Sequence, residues 1–544
     1  MDKSLDNHRK ELIRQALELW DYKGDLKDIE KDPVVKLLFS ALAYQSHSIT
    51  QEIGAFQEMT INEFRNKMIP FYLIKPFPAY SVVETKIPEA TNPKAEPILT
   101  FKVDESCTFD FENTKIPFAP LFNTTILNAA VTDRKIRQNS NAIELTLTSK
   151  NVIDNFAGAS IYVDGAGDHS DVEVLLNNRP LPLIKPDDYD NLPFTDWFQN
   201  HHLIAEENQL QYGCYDYWVE LYVKNQIQMF YIDEYNTSRI TNRSLTPTLS
   251  VRFKNTSKKF DLEECKVKIN CVPIVNVQKN TVYLSDNEPI KKLSTDESAF
   301  LNLLYDGNVG DTTSNYIIRH FGIERYSQKE LLFQLNDLFN RFISDYYAFK
   351  DIEELKKGEK LETIYRTFKD LLPVIKKDND DVHPNVYAIL KLDERLSRSH
   401  DSVKIDFLTT YGEAANKIKE GEVPTSMSGF LDKNNTVLLK ETAGGRNEET
   451  NEANLNHLAR YNLLTKDKIV TGSDVKAFCF REFNNKIKNV SVTNTGEYVA
   501  VTIQFYEEYM PQERQEVAYY EQLIQQKIKV RSLLCVPVQV KLTS

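Results

Sequence analysis

The chain has 544 residues with 66 basic and 79 acidic side chains, giving a formal net charge of −13 and a pI near 5.4. That balance argues against nucleic acid or an anionic membrane surface as the main partner, and 41% hydrophobic residues exclude a disordered chain. No run of about 18 apolar residues occurs, and the amino end MDKSLDNHRKELIRQ is charged where a signal peptide needs an apolar stretch, so a cytoplasmic protein without direct membrane insertion is expected.

The length suggests about three or four domains. Six scattered cysteines (Cys107, Cys214, Cys265, Cys271, Cys479, Cys535) are unlike the dense framework of a small secreted domain, so reduced, mostly buried thiols are expected.

In chain order, Leu12, Ile13, Leu17, Leu19 and Trp20 predict a short helix that closes near Gly24. A long helix follows over 32–68. Asp32 can cap it, Pro33 suits the first turn, and no further proline appears before Pro70. Val35, Leu38, Leu42, Ile49, Ile53, Phe56 and Met59 recur at three- and four-residue steps and form an apolar stripe. Such a stripe either lies on its own domain's core or joins an intermolecular bundle. Pro70, Pro76 and Pro78 then end the helix.

From 79 to 290 the texture is β-rich: SVVETKI, ILTFKV, CTFDFE, AIELTLTSK, SIYVDG, DVEVLL, WVELYVK, QMFYIDE and LSVRFK all read as strands. Alternation such as Ile143, Leu145 and Leu147 against Glu144, Thr146 and Thr148 gives each strand one buried face, as in an antiparallel sandwich or barrel. Residues 291–381 read as helical. Ser294 with Glu297 and Ser327 with Glu330 have capping-box spacing, and Leu331, Leu335, Leu338, Phe342 and Tyr346 share a face. The last part, 382–544, mixes strands with helices. Within it Gly444 and Gly445 make a turn, a short helix runs from Glu448 to Arg460, and Ser473 caps a further helix. The fold class is therefore α+β and multidomain, with a long N-terminal helix, an antiparallel β-rich middle, a helical segment and an α+β C-terminal domain.

Four passages carry a family resemblance. They are the acidic-Pro start of the long helix with its Pro-flanked end IPFYLIKPFPAYSVV; Asn270, Cys271, Pro273, Val275 and Asn276; Thr410, Gly412 and Asn416; and Gly444, Gly445, Glu449, Thr450, Val470, Thr471 and Asp474. The first two resemble the TssF family, the baseplate wedge subunit of bacterial type VI secretion systems. The last two resemble contractile-phage baseplate wedge proteins, and Gly444, Gly445, Thr471 and Asp474 form the wedge-like motif. The β-rich stretch between 90 and 250 carries no recognisable family feature.

The resemblance implies a structural subunit of a cytosolic baseplate recruited to the inner membrane. Its partners would be a TssG-like wedge subunit, a second copy of the chain, TssK-like and TssE-like subunits and the central spike. Val35, Leu38, Leu42, Ile49, Ile53 and Phe56 would then pack between subunits. A wedge of another contractile injection system or phage tail would use much the same protein. A carbohydrate-binding or carbohydrate-active protein would also suit the aromatic β-rich half, with 27 Tyr and 29 Phe.

No catalytic or cofactor motif stands out: there is no HExxH, CxxC, P-loop, GxGxxG or GxSxG. Asp164, Asp168 and Asp171 lack EF-hand spacing and read as a polar turn, and Cys265 and Cys271 have no second pair to make a zinc site. No enzyme activity, metal or cofactor is expected.

Overall fold

The computed structural model describes residues 73–88, 98–111, 116–165, 171–199, 213–224, 227–234, 242–254, 261–285, 287–295, 297–304, 316–321, 385–390, 403–512, 514–532 and 537–544. It also describes short pieces at 12–15, 38–45, 69, 337–341, 344 and 366–367. The chain forms two compact units, one from 1–67 with 322–384 and the other from 68–321 with 385–544.

In the first unit the described stretches 12–15, 38–45 and 337–341 are helical. Ile13, Phe39 and Ala43 are buried, whereas Leu38, Leu42 and Leu338 are exposed. The rest of the long helix expected over 32–68 lies outside the described residues.

The second unit is α+β, with several antiparallel sheets. Its middle is a sandwich. One sheet runs in the order Arg179–Pro180, Val172–Leu176, Thr248–Phe253, Ala142–Thr148, Ala130–Arg137. The other runs Leu183–Ile184, Ile227–Ile232, Ser160–Asp164, Lys266–Ile269. The alternation read from the sequence is what lets them face each other: Ile143, Leu145 and Leu147 turn inward with Val174, Leu249 and Val251 against Ile161, Val163, Phe230 and Ile232.

A six-stranded antiparallel sheet lies beside it, ordered Ser426–Met427, Phe109–Phe111, Ile116–Pro120, Cys271–Val275, Tyr80–Glu84, Val437–Leu438. Cys271–Val275 is buried at every position, as a strand covered on both faces must be. This sheet takes its first strands from 80–120 and its edges from beyond 420, so the division expected at 382 cuts through a continuous sheet. Val403–Thr410 likewise pairs with Gln278–Leu284 and Ala299–Leu304.

Two expectations are corrected. WVELYVK, read as a strand, lies in the helix α1, Gly213–Lys224. Its residues 216–223 are all buried, and a segment buried all round shows neither period clearly. The start of the expected helical stretch is instead β, with strands Ile290–Lys292, Ala299–Leu304 and Tyr316–Phe321. Between the first two, a tight turn stands where Ser294 with Glu297 was expected to open a helix: the Thr295 hydroxyl accepts from Ser298 N–H at 2.9 Å.

The C-terminal part contains α2, Glu452–Thr465, α3, Gly472–Phe483, and α4, Arg514–Arg531. They pack on a three-stranded sheet in which Ile487–Asn494 is antiparallel and Val538–Thr543 parallel to the central Val499–Phe505. A parallel pair needs a crossover, and α4 supplies it. Tyr461, Val475, Phe478, Ile503, Ile524 and Ile528 fill the core between helices and sheet.

Candidate functional site: a buried ion-pair junction

Helix α1 leaves the β half and packs on α4 of the C-terminal part. On α1, Asp216 and Glu220 are one helical turn apart, and on α4 Lys527 and Arg531 have the same spacing, so each pair lies on one face. The faces meet. Arg531 grips Asp216 through both guanidinium nitrogens, with Nη1 to Oδ1 at 2.9 Å and Nη2 to Oδ2 at 2.5 Å. Lys527 Nζ donates to Glu220 Oε1 at 3.1 Å and to Glu482 Oε2 of α3 at 3.0 Å.

The network continues on both sides. Asp467, in the loop between α2 and α3, accepts on Oδ1 from Tyr461 Oη at 2.5 Å, Arg481 Nη1 at 2.9 Å and Arg531 Nε at 3.2 Å. Glu220 also accepts from Arg446 Nη2 at 3.0 Å, and the Arg446 guanidinium lies 4.2 Å from the centre of the Phe77 ring. Asp216, Glu220, Asp467 and Glu482 thus face Arg446, Arg481, Lys527 and Arg531, and the charges cancel. Arg446, with its side chain 55% exposed, is the most open member.

Burial works against ionisation of Asp216, but the Arg531 guanidinium holds its carboxyl down at about 2. Glu482 is held at about 2 against the same penalty by Lys527 and Arg481. Glu220 lies below its ordinary range because Arg446 and Lys527 outweigh its burial. Lys527 is correspondingly raised, its desolvation overcome by Glu482 and Glu220. Asp216, Glu220 and Glu482 are held ionised and every carboxylate of the cluster is bonded, so the cluster acts as a clasp. Beside it opens a cavity of about 290 Å³ bordered by Leu73, Phe77, Glu449, Asn454 and Asn484.

The motif loops connect to this clasp through Tyr80. Asn276 is fully buried; its Oδ1 accepts from Thr410 Oγ1 at 2.9 Å and Tyr411 N at 2.8 Å, and its Nδ2 donates to Pro117 O at 2.7 Å. The Asn416 side chain makes a reciprocal pair with the Gly445 backbone, both bonds 2.8 Å. A Cβ on Gly445 would stand 2.1 Å from the Gly412 carbonyl oxygen, so close backbone approach requires glycine there. Gly444 has φ +86°, and a Cβ on it would meet the Tyr80 ring at 2.0 Å. The Tyr80 hydroxyl in turn donates to Glu220 Oε2 at 3.4 Å, which ties the glycine turn to the clasp.

Thr471 and Asp474 form a reciprocal capping box at the start of α3. Thr471 therefore caps this helix, where Ser473 was expected, because only Thr471 places Asp474 at the third helical position. The helix expected from Glu448 to Arg460 runs instead over Glu452–Thr465, with Glu449 accepting from Asn451 N and Asn454 Nδ2 at its entrance.

Of the residues expected to pack between subunits, Leu38 and Leu42 are exposed while their neighbours Phe39 and Ala43 are buried. Val35, Ile49, Ile53 and Phe56 lie outside the described residues. Cys107, Cys265, Cys271 and Cys479 are buried free thiols. Asp164 pairs with Lys440 at 2.9 Å and Asp171 with Lys185 at 3.6 Å, while Asp168 is outside the described residues. Among the described residues no three His, Cys, Asp or Glu side chains gather to hold a metal ion, and no described helix is long and apolar enough to cross a membrane.

Sequence reasoning missed the clasp. Its one legible signal was Asp216 and Glu220 four apart in an otherwise apolar segment, a spacing that points to one face of a helix.

No protein-family model and no curated protein sequence matches the chain. Among solved structures it is similar to a chain of the type VI secretion system TssK-TssF-TssG baseplate subcomplex, at 9% identity and TM-score 0.45 over 94% of this chain and 96% of that one. It is also similar to a chain of the anti-feeding prophage baseplate, at 7% identity and TM-score 0.28 over 96% of this chain and 72% of that one.

Proposed function

We propose that this chain is a non-enzymatic structural subunit of a type VI secretion system baseplate, of the TssF kind. It would assemble with a TssG-like partner and a second copy of itself into wedges around the central spike, and meet TssK-like and TssE-like subunits there. The observation that carries this reading is the convergence of the wedge-like passages. Asn276, Thr410, Asn416 and Gly445 come from segments up to 169 positions apart, yet Asn276 bonds Thr410, Asn416 bonds Gly445, and Gly412, which donates to Thr410 Oγ1, packs against Gly445 and brings the two pairs together. Through Gly444 and Tyr80 that junction reaches Glu220 of the clasp. A chain whose distinctive residues lock its own domains together, with its carboxylates engaged in ion pairs, is suited to bearing load.

On this reading Leu38 and Leu42 belong to a seam between subunits, with Val35, Ile49, Ile53 and Phe56 along the same stripe. The test is co-expression with the neighbouring wedge-partner gene, purification through a tag on this chain, and light scattering. A complex of two copies with one partner is expected. Leu42→Asp, at an already exposed position, is expected to leave the melting temperature of the isolated chain unchanged while blocking that complex. A monomer that ignores the partner would overturn the assignment, and a normal complex from Leu42→Asp would remove the stripe from the seam.

A further inference from the structure

An ammonium carries three N–H donors and a guanidinium five, and neither group accepts a hydrogen bond. Lys527, only 6% exposed, directs two of its three donors at Glu220 and Glu482, and the third has no acceptor among the described residues. Arg446 gives Nη2 to Glu220, while its Nε and Nη1 have no acceptor among them either. Asn484 follows α3 with a φ of +48°, and its side-chain amide bonds no described residue. Asn447 Oδ1 accepts from Glu413 N at 3.2 Å, which leaves the Nδ2 donors without an acceptor there. These four residues line the same cavity of about 290 Å³ beside the clasp.

The carboxylates that share this lining are already engaged. Both oxygens of Asp216 receive Arg531, and those of Glu449 receive Asn451 N and Asn454 Nδ2. Glu482 holds Lys527 on Oε2 and has Arg481 Nε 3.6 Å from Oε1. A cation entering the cavity would therefore find no uncommitted carboxylate oxygen, whereas an acceptor meets open donors. Buried donors require acceptors, and water alone fits this space poorly because Leu73, Phe77 and Leu458 give it an apolar wall. The Phe77 ring, 4.2 Å from the Arg446 guanidinium, also fixes where that cation stands. The volume is at about the lower end of small-ligand pockets.

We infer that this cavity binds a small oxyanion, the carboxylate or phosphate group of a molecule with a short apolar body. Lys527, Arg446, Asn447 and Asn484 hold the oxygens, and Leu73, Phe77 and Leu458 cover the body. The ligand bridges α4, the end of α3 and the chain just beyond the glycine turn, so it tightens the junction that the clasp closes. Because it binds only the folded chain, it raises stability by mass action. The site follows from donors and acceptors within this chain, so it stands or falls separately from the baseplate reading.

The experiment is isothermal titration calorimetry and thermal melting of the purified full chain at constant ionic strength, with benzoate, inorganic phosphate and uncharged benzamide as probes. Benzoate, phosphate or both are expected to bind at one site and to raise the melting temperature as their concentration rises, and benzamide to do neither. Binding of benzoate alone identifies a carboxylate, binding of phosphate alone a phosphate group, and binding of both a site that reads only the oxyanion. Arg446→Gln and Asn484→Gly, the second of which removes an amide at a φ that glycine tolerates, are each expected to weaken binding about tenfold or more. Lys486→Gln, exposed and outside the lining, is expected to bind like the wild type. Melting without ligand confirms that each variant folds, and should Arg446→Gln fail there, Asn484→Gly decides. Absence of binding by both anions, benzamide binding as well as benzoate, or wild-type affinity in the folded lining variants would each overturn the inference. A chain that binds neither anion yet forms the wedge complex would overturn it while leaving the baseplate assignment intact.

Discussion

The sandwich core and the clasp hold this protein together by different physics. In the sandwich, Leu145, Val174, Val251 and Phe230 bury only hydrocarbon, and the free energy scales with apolar area at about 25 cal/mol per Å². Loss of one side chain is graded, and neighbours relax around it. In the clasp, Asp216, Glu220, Lys527 and Arg531 have been taken out of water, and each ion's desolvation is offset only while its partner is present. The first arrangement gives stability; the second makes the pairing of α1 with α4 specific, because any other docking strands a charge.

The sharpest way to break this comparison is Asp216→Ala. Arg531, almost wholly buried, would lose its two-pronged carboxylate partner while keeping Asp467 and the Lys527 carbonyl, and the loss should be about 3–5 kcal/mol in the urea unfolding of the full chain. Replacing both members, Asp216→Leu with Arg531→Met, should recover most of that loss. If the double variant costs the sum of its singles, the clasp is an ordinary additive contact. In the sandwich, Leu145→Ala should cost about 2–5 kcal/mol through the lost transfer energy and the cavity left behind, with no partner substitution able to rescue it.

The smallest effect is a pH dependence at Glu448, a half-buried carboxyl beside the glycine turn, where burial raises the pKa from 4.5 to about 7. The folded state holds this proton more tightly than the unfolded chain, so the contribution is full below pH 4.5 and is lost as pH rises through about 7. Given its partial exposure, the loss should be about 1–2 kcal/mol. Glu448→Gln should flatten that part of the stability curve between pH 5 and pH 8, measured by thermal melts. An unchanged slope would mean that this carboxyl is solvated. The clasp predicts the reverse dependence far from there, since Asp216 and Glu482 are lowered to about 2 and lose their contribution only as pH falls through that value.

Legibility in the sequence followed the range of the interactions. AIELTLTSK announced Ala142–Thr148 because a half-buried strand must alternate, and its burial does. Gly444 and Gly445 stood out because few other residues tolerate a positive φ or a carbonyl at contact distance. Asp474 three residues after Thr471 marked the start of α3 closely, although the cap itself was placed two residues late. α1 was misread as a strand, since burial on all sides erases the periodicity that separates helix from strand. The strands from 290 to 321 were misread because a run of Ser, Thr, Asp and Glu suits a turn, as Thr295 with Ser298 makes here, as well as a helix cap.

What the amino-acid order determined by itself was local: strand faces, the glycine turn, the approximate start of α3, and an acidic charge balance. Tertiary structure alone decided that 403–410 pairs with 278–284, that short strands beyond 420 complete the sheet begun at 80, and that Asp216 meets Arg531. Asp216 and Arg531 are 315 positions apart. Periodicity carries information over a few turns of helix or one strand, whereas the partner of a buried charge is chosen by whichever packed surface brings an opposite charge within hydrogen-bonding distance.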